Sequence, residues 1–311
     1  MLSEFALSPA IFRTNSYESN GVADVCLGTL RMPLLEDCVI RNLHGGDWFQ
    51  QLKEQRGTLH PKAKELLEKL RNQSRLVGHE PCDNECPRSD EGWENEALVS
   101  HERTSLAGMI FSKDAKVNRH RENRLVACPE KLSSSDFWKE RSCSLRIPRS
   151  INDYCNLLLP LLRHATGIAF IDPHLDPKQD RYKDFLRLFT HPALTGRGCK
   201  PAIEIHRVAW LGDGKDKRSR SSEIESIFKE EWATQIANCG MKIKVFLWDD
   251  FHDRFVHSNL LSMNWSNGFD TTTDSSARVT VSRLSRVDRD DLQKEFAENS
   301  TSHHLLKMFV V

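Results

Sequence analysis

The segment MKIKVFLWDDFHDRFVHSNLLSM, residues 241–263, is the stretch from which the fold is inferred. Its first eight residues are mainly apolar, and a run of this length is typical of a strand buried in a sheet. The polar residues 249–254 interrupt the run, and a second apolar stretch follows. The segment therefore predicts a buried strand, a short polar loop and another strand.

Strands and helices also alternate on both sides of this segment. Consecutive strands joined by helices are typical of right-handed βαβ crossovers, which predict an α/β domain with a largely parallel sheet over residues 150–311. The predicted helices lie at 151–164, 180–189, 221–238 and 288–298, and the predicted strands at 168–171, 202–210, 241–248, 255–263 and 277–284.

The region before this domain, residues 1–149, has a different pattern. Apolar residues recur at helical spacing in 47–56 and 61–73, which predicts a mostly helical region. Residues 78–105 are rich in turn-forming and acidic residues, so we expect a loop-rich connector there.

Composition excludes some classes of partner. Lys and Arg total 44, as do Asp and Glu, so the formal net charge is zero and any contact with a polyanion must use a local patch. No apolar stretch reaches the about 18 residues that cross a membrane, and no signal peptide is evident. The nine irregularly spaced cysteines then favour reduced thiols. We expect a cytoplasmic protein with no membrane partner.

Candidate chemistry lies where predicted strands end, because ligands of open α/β sheets bind beyond the carboxyl ends of the strands. His252 and Arg254 are two residues apart near a strand start, so their side chains project to one face. A histidine can attack a phosphodiester or protonate its leaving group, and an arginine can hold phosphate oxygens. A second histidine is needed, either His174 after the first strand or His206 beside Glu204.

These residues resemble the phospholipase D superfamily over about residues 150–298, roughly half of the chain. The family has a His-x-Lys motif, then an Asp or Asn and a glycine-containing segment. The pattern is more similar still to the phospholipase D-like domain at the C-terminus of some microtubule-interacting-and-trafficking proteins. The corresponding residues here are His252, Arg254, Asn259 and Gly268 for the superfamily, and Asp172-Pro173, His252-Asp253-Arg254 and Gly268-Phe269-Asp270 for the domain.

The resemblance implies a phospholipase D-like mixed sheet flanked by helices, preceded by the mostly helical region. Arg254 stands where the family has lysine, and the chain has no second full motif. Active single-motif members of the family dimerise to complete their site, whereas the trafficking-type relatives are binding modules. Catalysis in this chain would therefore use His174 or a partner subunit.

The leading hypothesis is a metal-independent phosphodiesterase acting on nucleic acid, DNA rather than RNA, in bacterial defence against foreign DNA. His252 would be the nucleophile and His174 the acid, or the reverse, with Arg254 and Asn259 stabilising the phosphoryl charge. No cofactor is expected. The alternative is a non-catalytic assembly module in a larger complex. In either case we expect a homo-oligomer or a subunit of a larger assembly.

Further residues are candidates for substrate binding. Asp270 is expected to hold a turn or to pair with Arg254. A basic loop that contains Lys215, Lys217 and Arg218 could contact a phosphate backbone. No metal is expected, because His79, Cys82 and Cys86 form one irregular cluster and structural zinc needs four ligands. The remaining substrate-binding candidates are Glu204, His206, Lys215, Lys217 and Arg218.

Overall fold

The computed structural model describes residues 1–211 and 219–311. These residues divide into an N-terminal unit, Leu2–Ser142, and a C-terminal unit, Cys143–Val311. The basic loop with Lys215, Lys217 and Arg218 lies outside the described residues. None of the helices in the described part of the chain is long and apolar enough to span a bilayer.

The N-terminal unit contains a five-stranded sheet, in the order β3-β2-β1-β4-β5, in which every pairing is parallel. The strands are β1 Ser3–Leu7, β2 Cys38–Asn42, β3 Leu76–Gly78, β4 Gly108–Ile110 and β5 Val126–Ala127. The helices are α1 Asn20–Glu36, α2 Asp47–Glu54, α3 Pro61–Asn72, α4 Asp90–Arg103, α5 Lys113–Asn118 and α6 Asp136–Lys139, with 3₁₀ turns at Pro9–Phe12, Thr14–Ser16, His44–Gly46, Arg56–Thr58 and Pro129–Ser134.

The expectation of a mostly helical N-terminal region therefore omitted a sheet. Helices α2 and α3 lie where the helical spacing placed them. The strands have two to five residues, which is too short to show a period in the sequence. Within the predicted connector, residues 90–103 form α4, whose N-cap Ser89 accepts a hydrogen bond from the Gly92 N–H at 3.1 Å. The acidic residues that suggested a loop begin this helix, where its dipole favours negative charge.

A buried ion pair connects the centre of this sheet to α4. Arg41 on β2 is fully buried and donates from Nε to Glu4 Oε1 on β1 at 2.8 Å. Its Nη1 donates to the Ser100 carbonyl at 2.8 Å and the Thr104 carbonyl at 3.0 Å. A buried cation of this kind is tolerated because hydrogen bonds replace its hydration.

The C-terminal unit contains an eight-stranded mixed sheet in the order β13-β9-β8-β7-β10-β11-β12-β6. Strand β8 is parallel to both of its neighbours, β7 and β9, and the other pairings of this sheet are antiparallel. The strands are β6 Ser144–Pro148, β7 Gly167–Ile171, β8 Ala202–Val208, β9 Ile243–Trp248, β10 Phe255–Ser258, β11 Ser262–Trp265, β12 Arg278–Arg283 and β13 Leu305–Val310. The helices are α7 Ile151–His164, α8 Pro192–Thr195, α9 Ser221–Asn238 and α10 Arg286–Glu295, and Asp180–Leu188 is a 3₁₀ helix.

The expected α/β fold is confirmed, with a sheet that is mixed rather than largely parallel. Helices α7 and α9 have the predicted bounds. The predicted strand 255–263 is instead a hairpin, because Ser258 Oγ donates to the Leu261 carbonyl at 2.7 Å and closes a tight turn. Leu260 and Leu261 in that turn are buried, so the apolar run continues through it and hides the break.

An aromatic cluster holds the peripheral segments of the C-terminal unit on the sheet. The Phe170 ring, on β7, lies edge-to-face against Phe185, Phe189 and Phe269 at centroid distances of 5.2, 5.6 and 5.5 Å. Trp232 of α9 extends the cluster by stacking on Phe185. The 3₁₀ helix and the segment after β11 are thereby anchored to the same strand.

We expect Phe170→Ala to lower the free energy of unfolding by about 3–5 kcal/mol, because it removes a fully buried ring and leaves a cavity. Phe170→Leu should cost less, since it refills part of that volume. Urea denaturation of the two variants beside the natural protein measures the difference. Equal stability of the alanine variant and the natural protein would contradict this role for the cluster.

Candidate functional site

The short connection between β9 and β10 passes over the carboxyl ends of the parallel strands. Strand β9 ends at Trp248, yet β10 pairs with β7, and β8 lies between β7 and β9. Residues 249–254 must therefore cross beyond the carboxyl end of β8. Phe255 is paired with Ile171, the last residue of β7, so Arg254 lies beside the point where β7 ends.

Asp172, the residue after β7, is the centre of the hydrogen bonding at this edge. It is fully buried. Its Oδ2 accepts hydrogen bonds from the Tyr182 hydroxyl at 3.1 Å and from the Phe269 N–H at 3.0 Å. Its Oδ1 accepts from the His174 N–H at 3.0 Å. One carboxylate thus connects the turn after β7, the 3₁₀ helix that follows it and, 97 residues away, the segment after β11.

Arg254 provides the positive charge beside this carboxylate. Its Nε lies 3.9 Å from Asp172 Oδ1, and its Nη1 donates to the His252 carbonyl at 3.0 Å. The side chain remains 27% exposed. A guanidinium has five N–H donors, so these contacts leave donors that can bind an anion.

Gly268 allows Arg254 and Asp172 to approach each other. Its φ of +80° lies in the left-handed region, and a Cβ at this position would be 2.7 Å from Asp172 Oδ2 and 3.2 Å from Arg254 Nε. A side chain here would meet both a strained backbone and a collision. The glycine of the Gly-Phe-Asp motif is therefore required by the packing around Asp172.

The two candidate catalytic histidines occupy different environments. His174 is half-buried, and burial lowers the pKa of its ring, with Asp172 opposing that effect and Arg254 adding to it. The His252 side chain is 80% exposed, and its Nε2 lies 3.8 Å from Asp250 Oδ1. The His252 carbonyl, rather than its ring, is the atom that contacts Arg254.

Two predicted substrate-binding residues, Glu204 and His206, lie within a strand rather than at its end. His206 is 1% exposed and its ring stacks on Phe246 at 4.6 Å, while Nδ1 accepts from Trp248 Nε1 at 3.1 Å. Its Nε2 lies 3.6 Å from Glu204 Oε2, and burial lowers the pKa of the imidazole. His206 is thus a core histidine whose ring packs against the aromatic side chains of β9.

Asn259 lies at the opposite end of the sheet. Because β10 runs antiparallel to β7, the turn after β10 adjoins the start of β7, where Asn259 Oδ1 accepts from the Thr166 N–H at 2.8 Å. The structure therefore separates Asn259 from Arg254, and the predicted shared role in stabilising a phosphate does not fit this geometry.

Asp270 belongs to the support of the site. It is 8% exposed and pairs with Arg149 rather than Arg254, with 2.5 Å between Arg149 Nη2 and Asp270 Oδ2. The Tyr154 hydroxyl donates to the Asp270 carbonyl at 3.0 Å. These contacts hold the segment that carries Gly268.

Two residues that support the site, Tyr182 and Arg149, are not indicated by any motif in the sequence. Tyr182 is one of the buried residues of the 3₁₀ helix, and a buried tyrosine hydroxyl usually has a hydrogen-bond partner. That rule could have suggested a polar acceptor beneath the 3₁₀ helix. Arg149 immediately follows the edge strand β6, which the sequence pattern did not reveal.

Two solved structures show a distant likeness to this chain. The chain matches no family model and no curated protein. Among solved structures, a phosphatidylserine synthase from Haemophilus influenzae Rd KW20 aligns at 11% identity over 53% of this chain and 39% of the synthase, with a TM-score of 0.31. TrmBL2, an archaeal chromatin protein with a novel mode of DNA binding, aligns at 10% identity over 80% of this chain and 84% of that protein, with a TM-score of 0.29. Alignments at these TM-scores do not place the chain in a family.

We expect Gly268→Ala to reduce the free energy of unfolding by about 1–3 kcal/mol, because a left-handed backbone and the contact with Asp172 both oppose a side chain. Gly198→Ala is the control, since a Cβ at that position meets no atom within 4 Å. Urea denaturation compares the two variants. If both are equally stable, the close approach at Gly268 is not required.

Proposed function

We propose that the C-terminal unit binds a phosphodiester of nucleic acid at the carboxyl end of β7 and hydrolyses it without a metal. The observation that supports this proposal is the convergence on one buried carboxylate. Asp172 holds the His174 backbone, lies beside Arg254 and binds the segment after Gly268. Residues chosen from separate strand ends in the sequence therefore share one small region.

Arg254 is proposed to bind the phosphate oxygens. Its 3.9 Å separation from Asp172 is longer than a direct hydrogen bond, so a phosphate can take up the unused donors without breaking one. The charge pairing with Asp172 would fix the guanidinium before a substrate arrives, which limits the entropy lost on binding. Positioned donors of this kind stabilise the charge that develops in the transition state.

The environments of the histidines support a division of labour. Because burial lowers the pKa of His174, its ring is neutral near neutral pH and suits the nucleophile. The His252 ring is exposed at the same edge of the sheet, and we assign it the acid. A His174 nitrogen would bond to phosphorus as the bond to the leaving oxygen breaks, and His252 would protonate that oxygen. Water would then cleave the phosphorus–nitrogen bond and return its proton to His252.

The neutral net charge makes local contacts necessary for a polyanion. We propose that Lys215, Lys217 and Arg218 contact the nucleic-acid backbone, and that DNA is preferred to RNA. A second copy of the chain, or a larger complex, could supply a further His252 to the site. Bacterial defence against foreign DNA, in the cytoplasm, is the setting proposed for such an activity.

A non-catalytic binding module is the second candidate. The exposure of the His252 ring, and the use of its carbonyl to hold Arg254, favour it. In that case Arg254 and the segments around Asp172 would hold a phosphate or a partner without cutting. Cleavage and binding assays on the same protein distinguish the two functions.

The natural protein is expected to cut labelled single- or double-stranded DNA in the presence of EDTA. His174→Ala, His252→Ala and Arg254→Ala should each reduce the rate by about 100-fold or more, because each removes a group that acts on the phosphate. His304→Ala is the control, since this exposed residue contributes its backbone N–H to Asp249, which alanine keeps. DNA binding that depends on Arg254, without cutting, would establish the binding module instead.

Leaving-group substitution separates the histidine roles. A p-nitrophenyl phosphodiester releases an anion that needs no proton, so the variant lacking the acid should recover activity on it. We expect His252→Ala to recover and His174→Ala to remain inactive. The opposite result would make His252 the nucleophile, and the absence of recovery in both variants would exclude this pair of roles.

The pH dependence follows from the lowered pKa of His174. A nucleophilic imidazole must be deprotonated, and a lowered pKa keeps it so at more acidic pH. The acid limb of the kcat/KM profile should therefore lie below about 6.5, the ordinary histidine value. Rates measured across the acidic range test this. An acid limb above that value would show that His174 is not the group that must be deprotonated.

A further inference from the structure

Three metal-ligating side chains of the N-terminal unit converge beyond the carboxyl end of β2. They are His44, Asp47 and Cys86, whose ligand atoms all lie within 4.8 Å of one another. His44 and Asp47 follow β2 directly, and Cys86 lies in the segment between β3 and α4. Because β2 and β3 are parallel neighbours, the segments that follow them start at the same edge of the sheet. Within residues 1–211 and 219–311 this is the one group of three such residues that meets this spacing.

The backbone after β2 is shaped to present His44. His44, Gly45 and Gly46 have φ values of 53°, 64° and 116°, so three successive residues are left-handed. The Gly45 N–H donates to the His79 carbonyl at 2.8 Å, which ties this turn to the residue after β3. The turn therefore keeps His44 beside the segment that carries Cys86.

A buried carboxylate orients the His44 ring. His44 and Glu96 are 7% and 5% exposed, and His44 Nδ1 lies 3.3 Å from Glu96 Oε1. The Cys82 N–H donates to the same oxygen at 3.1 Å, which fixes the carboxylate. With Nδ1 engaged, Nε2 is the nitrogen available to a ligand. Histidines that bind metals usually have their other ring nitrogen bonded to a carboxylate or carbonyl in this way.

We propose that His44, Asp47 and Cys86 bind one divalent transition-metal ion of the zinc type. One nitrogen, one oxygen and one sulfur ligand suit zinc, whereas magnesium and calcium prefer oxygen ligands alone. Asp47 and Cys86 are exposed, so both can move the short distance needed to close around an ion. Glu96 acts as a positioning residue through His44.

The site keeps one coordination position open. Three protein ligands with a free fourth position are typical of zinc that binds water or a substrate, whereas structural zinc has four protein ligands. Asp47 and Cys86 are exposed, and Cys86 also lines a cavity of about 900 Å³, so the proposed site adjoins solvent. The ion would therefore be exchangeable and reachable from solvent.

The sequence grouping of His79, Cys82 and Cys86 is not the one that the structure assembles. His79 Nδ1 is bonded to the Glu80 carbonyl at 2.9 Å, and Cys82 Sγ lies 3.9 Å from the Glu96 carbonyl. Cys86 alone of the three belongs to the group with His44 and Asp47. The other two ligands come from the turn after β2, about forty residues earlier by the numbering of His44 and Cys86.

Cobalt(II) binding to the full-length protein tests the site. We expect one equivalent of cobalt to bind and to give a thiolate-to-cobalt charge-transfer band in the near ultraviolet. Cys86→Ser should abolish that band, and Cys82→Ser, in the same segment, should keep it. Glu96→Gln should weaken the affinity by about 10–100-fold while keeping the band, because the ligands remain and only the orientation of His44 is lost.

Circular dichroism shows whether each variant is folded, and Cys86 is exposed, so its serine variant is expected to fold. Absence of the band in the natural protein would overturn the proposal, as would a band that survives Cys86→Ser. The result is independent of phosphodiester cleavage, which is expected to persist in EDTA.

Discussion

The burial of one negative charge determines the arrangement of the C-terminal unit at its carboxyl edge. A carboxylate with no exposure to solvent is costly unless charge and hydrogen bonds replace its hydration. Asp172 receives a tyrosine hydroxyl, two backbone N–H groups and a nearby guanidinium. Each of these requires a particular local structure: a 3₁₀ helix for Tyr182, a turn for His174, and a left-handed glycine before Phe269. The candidate site is the set of segments that this requirement brings together.

The rule that ligands bind beyond the carboxyl ends of strands selected His174, His252 and Arg254 as candidates. Sequence pattern predicted the bounds of α7 and α9, which follow from helical spacing. It failed where the outcome depends on which strands pair. Asn259 is far from Arg254 because β10 is antiparallel to β7, and that pairing leaves no mark in the sequence of β10 itself. His206 is buried by rings of the neighbouring strand β9. The sequence of β8 does not indicate which strand lies beside it, so this burial could not be predicted.

In the N-terminal unit, too, strand pairing could not be predicted from the sequence. Its strands are too short to be recognised, so the residues that end them were not considered as neighbours. His44 and Cys86 become a pair only when β2 and β3 are known to be adjacent and parallel. A short glycine-containing turn, which the sequence analysis had no reason to select, then provides the histidine.

The link from Asp172 to Phe269 has a consequence for how the chain acquires its structure. This hydrogen bond joins residues 97 positions apart, and β7 is also paired along one side by β10. During synthesis β7 therefore leaves the ribosome well before β10 and Phe269. Its pairing with β10 and the hydrogen bond to Asp172 form only after most of the C-terminal unit has been made. Contacts of such long sequence separation slow folding, because the loop must close before they contribute. Until then Asp172 lacks the Phe269 N–H, so hydration of its carboxylate by water competes with burial. This opposes early burial of the carboxyl end of β7.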